Sequence, residues 1–242
     1  MRRLIHLFFA VVSIFLIAPS RCRGEFRSID GAGNNLQHPQ WGVAGTAFAR
    51  LAPADYDDGI STARLLGQPN PRSVGLALMR QAAPSRDERG LSGYVYAFGN
   101  LLSHDMQHTI SGQTETVAFQ IPFNDDQFIP NQTLSLTRSR FDSTTGSDPA
   151  NPRQQTNFAT PFIDASPIYG TNDAEASILR GGSAHPGAKL KTSDDVNFDG
   201  ENMLPHDAFG PRPDANYVAG DDRVNDNIVL TCLQTVFMRE HN

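Results

Sequence analysis

Cysteine is nearly absent: two occur in 242 residues, Cys22 and Cys232. If the first is lost in processing, no internal disulfide can staple the remainder, and stability has to come from a packed core or from bound ions. Long apolar runs are as scarce. The one such run, from Leu4 to Ala18, is too short to span a bilayer, which takes about 20 residues. Preceded by Arg2 and Arg3 and followed by small residues at Cys22 and Gly24, it reads as a secretory signal peptide over residues 1–24, with a mature, extracellular chain starting at Glu25. Excess positive charge is also missing. The formal net charge is −6, and loss of Arg2, Arg3, Arg21 and Arg23 with no acid lowers it by four, to −10. Such a chain is no partner for nucleic acid, and its mature part contains no membrane span.

Residues 25–242 are enough for one domain with a sizeable core. No internal repeat is visible. Residues 27–72 are turn-rich, with no sustained period of 2 or 3.6 residues, and read as an extended arm around a helical body. A short helix is expected over 74–81. The strongest helical pattern follows, with Leu91, Val95, Phe98, Leu101, Leu102 and Asp105 at helical spacing behind a charged entry at Arg86, Asp87 and Glu88. Apolar segments at 116–122 and 127–130 predict a small hairpin. A short helix over 173–179 should stop at Gly181 and Gly182. The last segment places Val229, Leu233, Val236 and Phe237 on one face of a helix that has no stop signal before Asn242, so an element interrupted at the C-terminus is expected.

The chemistry-bearing residues cluster on that pattern. Asn100, His104 and His108 are spaced i, i+4, i+8 and would share a helix face, with Asp105 about 100° away from His104. An imidazole is matched to taking a proton near neutral pH, and a carboxylate on the next face can hold a hard cation. The pair His104 and His108 also resembles a zinc-protease pattern, but Asp105 stands where that pattern needs Glu and no third ligand follows. In the stretch TPFIDAS at 160–166, Thr160, Asp164 and Ser166 carry oxygens that a curling loop can bring together for a hard cation, although turn chemistry alone would also place them there. Residues 195–200 imitate the opening of an EF-hand, but the twelfth position is His206 instead of Glu. Arg223 and Asp226 stand three apart at an expected helix start, where a surface ion pair is the ordinary reading. Asn131-Gln132-Thr133 is a sequon, meaningful in a secretory host that glycosylates.

Taken in order, four blocks resemble the animal haem peroxidase family: RSIDGAGNNLQHPQWGVAGTAFARL at 27–51, FGNLLSHDMQHT at 98–109, TPFIDASPIYG at 160–170, and AGDDRVNDN at 219–227 leading to REHN at 239–242. The resemblance implies a mainly α, helical domain with long loops and little β, incomplete at its C-terminus. It implies His104 as the distal base that moves a proton between peroxide oxygens, and Arg223 as the residue that aids cleavage of the O–O bond. It implies calcium bound by Asp105, Thr160, Phe162 through its carbonyl, Asp164 and Ser166. Asn100, Ser103 and Asp226 fall where the family lines its haem. Family members with covalent haem have Asp just before the distal His and Glu three after the Arg; Ser103 cannot form that ester and Asp226 is a shortened candidate. The expected cofactor is therefore b-type haem, non-covalent or singly linked. None of the seven histidines matches the family's proximal ligand, which the resemblance places beyond Asn242.

The expected activity is peroxide-dependent oxidation of a halide or small organic donor, with hydrogen peroxide and that donor as partners. The alternatives are a secreted calcium-binding remnant without turnover and a haem-dependent lipid dioxygenase.

Overall fold

A computed structural model describes residues 27–65, 67–180, 188–196, 200–206 and 216–242. The expected signal peptide, the stop at Gly181 and Gly182, and residues 197–199 of the EF-hand-like turn lie outside the described residues. No described helix is long and apolar enough to cross a membrane.

The order of elements is β1 (Thr46–Ala47), α1 (Pro71–Met79), α2 (Tyr94–Met106), β2 (Ser111–Gln120), β3 (Thr133–Ser139), β4 (Thr156–Asn157), α3 (Ser166–Tyr169), α4 (Asp173–Leu179), α5 (Ser193–Val196), a 3₁₀ turn (Asp222–Asn225) and α6 (Ile228–His241). Two antiparallel pairs complete it, β2 with β3 and β1 with β4. The expectation of a mainly helical chain does not hold. Helix accounts for 28% and strand for 14% of the described residues. The cause is local: turn residues keep interrupting the chain, and the stretch after α2 pairs with 133–139 as a ten-residue strand rather than with 127–130.

Residues 127–130 are bent instead. Asp125, its side chain withdrawn from solvent, accepts from the backbone N–H groups of Gln127 (2.9 Å) and Phe128 (3.1 Å) and pairs with Arg72 of α1. The entry to α2 differs for a similar reason. Asp87 accepts from the backbone N–H of Leu91 at 3.1 Å, which makes 87–91 a turn, and the helix starts only at Tyr94. Helices α1, α4 and α6 begin where an asparagine accepts from N–H groups of the first turn: Asn70, Asn172 and Asn227.

The core joins α2, α3, α4 and α6 through Leu101, Ile168, Leu179, Leu190, Leu204, Val224, Leu230 and Met238. The buried faces match apolar periodicity only in part: Leu101 and Asp105 of the expected α2 stripe are buried, but none of the expected α6 stripe is. Helix α2 buries Ala97, Leu101, His104 and Asp105 and leaves Val95 and Phe98 half exposed; α6 buries Leu230, Thr231, Gln234, Thr235 and Met238 and leaves Val236 exposed. Both helices turn hydrogen-bonding side chains inward. That arrangement positions the site.

Candidate functional site

The last turn of α2, the loop into α3, and the 3₁₀ turn before α6 meet around His104 and Asp105. Their approach depends on Gly220. A Cβ there would lie 2.2 Å from the backbone nitrogen of Gly170 and 2.3 Å from the carbonyl oxygen of Ser166, so only glycine lets the 219–221 backbone run against α3. Next to it, Asp221 caps the 3₁₀ turn by accepting from the backbone N–H of Arg223 at 2.8 Å.

His104 is 6% exposed. Its Nδ1 is buried with no hydrogen-bond partner, and its Nε2 lies 3.4 Å from Nδ2 of Asn100 and 3.9 Å from Oδ2 of Asp226, a side chain 57% exposed. Burial pushes the imidazole below its ordinary pKa. The positive charge of Arg223 adds to that, Asp221 and Asp226 oppose it, and His108 reinforces it weakly. The ring is thus a neutral base whose Nε2 lies between the Asn100 amide and the exposed Asp226 carboxylate.

Arg223 does not pair with Asp226. Its Nε and Nη2 donate to both oxygens of Asp221 (2.9 and 2.5 Å for the closer contacts), and Nη2 also donates to the carbonyls of His104 (3.2 Å) and Gln107 (2.8 Å). The guanidinium therefore ties the C-terminal end of α2 to the 3₁₀ turn and holds positive charge beside His104. Burial alone would raise the Asp221 carboxyl, but the hydrogen bonds and charge of Arg223 prevail and hold it below the usual carboxylate range. Ser103 is half-buried at the same helix end, its hydroxyl accepting from Nε2 of Gln107 at 3.3 Å.

His108 is not on the helix. α2 ends at Met106 and Gln107 is extended, so the i, i+4 zinc pair with His104 loses its geometric basis. Instead the His108 backbone N–H is held by Asn157 (2.8 Å), and its ring lies 3.3 Å from the exposed Asp222. Ligand atoms of His108, Asp221 and Asp222 lie within 4.8 Å of one another, but both oxygens of Asp221 are already engaged by Arg223.

One position on, Asp105 faces a different environment. Its carboxylate accepts from the backbone N–H groups of Ser166 (2.9 Å) and Ala165 (3.2 Å) and from the Ser166 hydroxyl (3.1 Å). Asp164 accepts from the Thr160 hydroxyl (2.6 Å) and from the Ser166 N–H (3.2 Å). Ala165, between them, is left-handed at φ 64°, which curls the loop so that these groups converge. Thr160 and Ser166 are buried. Burial pushes the Asp105 carboxyl up, its backbone bond from Ala165 pulls down, and the charge of Asp164 pushes it up again. Two carboxylates and two hydroxyls thus share a dry space, a donor set of the kind hard cations take. The Phe162 ring packs on the opening arm, where a Cβ on Gly42 would meet it at 2.6 Å.

A family model described as animal haem peroxidase matches residues 26–242. The chain belongs to that family. Peroxidasin of Drosophila melanogaster is 32% identical over 260 residues, covering 90% of this chain and 17% of the relative, so the chain spans less than a fifth of that protein's length. Among solved structures, peroxidase A from Dictyostelium discoideum superposes with a TM-score of 0.70 at 25% identity, over 90% of this chain and 45% of that one. A fatty acid alpha-dioxygenase of Arabidopsis thaliana gives 0.66 at 21% identity, over 90% of this chain and 30% of that one, a likeness of fold alone.

The residues around His104 fit a haem's peroxide side in their chemistry. A buried neutral base, an amide and a half-exposed carboxylate stand together, with a guanidinium anchored behind them. Two participants were missed in the sequence. Asp221 holds Arg223, and Asn227, the N-cap of α6, donates from Nδ2 to Oδ1 of Asn100 at 3.1 Å. An Asp two residues before an Arg and an Asn before an apolar run are both cap signals that could have found them.

Proposed function

We propose that this chain forms the peroxide-side half of a secreted haem peroxidase domain, as residues 25–242 behind a signal peptide in residues 1–24. Asn100, Ser103 and Asp226 line b-type haem, which is non-covalent or linked once through Asp226. Bound haem supplies the iron that activates hydrogen peroxide for oxidation of a halide or small organic donor. His104 accepts a proton at Nε2 from one peroxide oxygen and returns it to the departing one. Arg223 supplies fixed positive charge as negative charge develops there. Asp105, Thr160, Phe162 through its carbonyl, Asp164 and Ser166 hold calcium, which fixes the end of the helix that carries the base.

The observation behind this reading is the buried, neutral His104 with Nε2 between Asn100 and the exposed Asp226. The test uses the intact natural product that bears this sequence. Haem addition should give a Soret band, and peroxide should then drive oxidation of a dye at a rate that depends on His104. Absence of haem uptake, or turnover indifferent to His104→Ala, overturns the proposal.

A secreted calcium-binding role without turnover is the second reading, favoured by the convergence of Asp105, Thr160, Asp164 and Ser166. Calcium-dependent stability with no haem uptake would select it. Oxygenation of a fatty acid in place of dye oxidation would select the lipid dioxygenase alternative.

A further inference from the structure

Three hydrogen-bonded groups run in series from the start of α6 to the ring of His104. Oδ1 of Asn227 accepts from the backbone N–H of Leu230 at 2.9 Å. Its Nδ2 donates to Oδ1 of Asn100 at 3.1 Å, and Nδ2 of Asn100 lies 3.4 Å from Nε2 of His104. The polarity of this series is set at one end. A backbone N–H can only donate, so Asn227 must present its oxygen to Leu230 and its NH₂ to Asn100. Asn100 must then present its oxygen to Asn227 and its own NH₂ to the imidazole. Facing a donor, Nε2 can only accept.

Nothing else at the ring competes. Nδ1 has no hydrogen-bond partner, and Asp226 at 3.9 Å is beyond hydrogen-bond reach of Nε2. We infer that Asn227 is a positioning residue for the proton-accepting step: acting through Asn100, it keeps the ring hydrogen of His104 on Nδ1 and Nε2 unprotonated, its lone pair held only by the long Asn100 contact that an incoming proton displaces. This deepens the proposed peroxidase reading and rests on it for its meaning, since an accepting Nε2 is what a base at that atom requires. A hydrogen on Nε2 would move the acceptor to Nδ1, which is buried with no hydrogen-bond partner. The linkage also explains why the residue one turn before His104 carries a short carboxamide: the amide must touch the ring and Asn227 at once.

The experiment reads the tautomer directly, without haem. In the intact protein labelled with ¹⁵N at histidine, two-bond ¹H–¹⁵N correlation spectra at about pH 8, where imidazoles are neutral, distinguish Nδ1–H from Nε2–H. The His104 signals are identified by their absence in His104→Gln. The parent should show Nδ1–H. Asn227→Asp keeps the helix-capping oxygen but replaces the NH₂ by a second acceptor, so Asn100 turns over, its oxygen faces the ring, and the hydrogen moves to Nε2. Asn227→Ser keeps the cap, deletes the link, and should release the ring to a mixture of both tautomers.

An Nε2–H ring in the parent overturns the inference. So does a pure Nδ1–H ring in either variant whose circular dichroism shows helix content unchanged. Because the measurement needs no turnover, a failed peroxidase assay and a failed tautomer prediction remain separate results.

Discussion

His104 and Asp105 are consecutive residues on one helix, both withdrawn from water, yet they meet burial in opposite ways. Desolvation disfavours whichever form is charged, so it lowers the pKa of the imidazole and raises that of the carboxyl. The histidine relieves the penalty by giving up its proton, and in doing so becomes a base ready to act. The aspartate would relieve it by taking up a proton, and Asp164 beside it adds like charge that pushes the same way. One helix end therefore carries a neutral imidazole on one face and, on the next, a buried carboxylate with a second carboxylate beside it. The environment of each side chain, set by which segment packs on which face, decides what the same loss of water produces.

The comparison breaks first at the reaction itself. Replacing His104 by Ala should slow peroxide-dependent turnover by roughly 10²–10⁴-fold, the usual span of a positioned proton carrier, while calcium stoichiometry by atomic emission stays unchanged. Asp105→Ala should lose the calcium, and the turnover that follows it should recover in no calcium concentration. Calcium loss in the histidine variant would dissolve the distinction between the regions. A substitution beneath both should spare neither: Leu101→Ala empties a buried position of α2 and should cost about 2–5 kcal/mol in denaturant unfolding, weakening haem uptake and calcium binding together.

How much of this could be read in the sequence divides along similar lines. Helix α4 emerges with the bounds its pattern gives, Asp173 to Leu179, because its cap at Asn172 is local. Asn100 and His104 do meet, as their spacing requires. His108 does not join them, since the helix ends at Met106. The inward face of α2 is legible in part, through Leu101, His104 and Asp105, while that of α6 is not: Thr231 turns in to donate to the Val224 carbonyl, a partner that periodicity does not contain. The Asp125 bend, fixed by Arg72 from 53 residues away, has no local signature. The pairing of Arg223 with Asp221 rather than Asp226 turns on Asp221 capping the 3₁₀ turn, which sets its carboxylate against the Arg223 backbone and guanidinium together.

Two smaller effects sharpen the contrast. Calcium at about 100 times its dissociation constant should stabilise the parent by about 2.7 kcal/mol, measured as a rise in the urea midpoint, and Asp164→Asn should erase the rise while leaving the His104 tautomer alone. The smallest effect is set by acid. Asp221 titrates below its unfolded value because the hydrogen bonds and charge of Arg223 outweigh burial and hold it charged, so its contribution is present above about pH 4 and fades as pH falls through the folded value. Unfolding followed from pH 5 to pH 2 should show that loss, and Arg223→Ala should flatten it. Stability that rises over the same interval would contradict the pairing.

The Arg223 anchor has one more consequence, for how the protein assembles. Its bonds to the carbonyls of Gln107 and His104 join residues 116 and 119 positions apart. Helix α2 can form from local contacts, but its end is clamped only after a loop of that length has closed, with the entropy that closure carries and the slow search that non-local contacts impose. The clamp on the helix end is therefore expected to form after the helix itself. Mutations that weaken the clamp should speed unfolding far more than they slow folding.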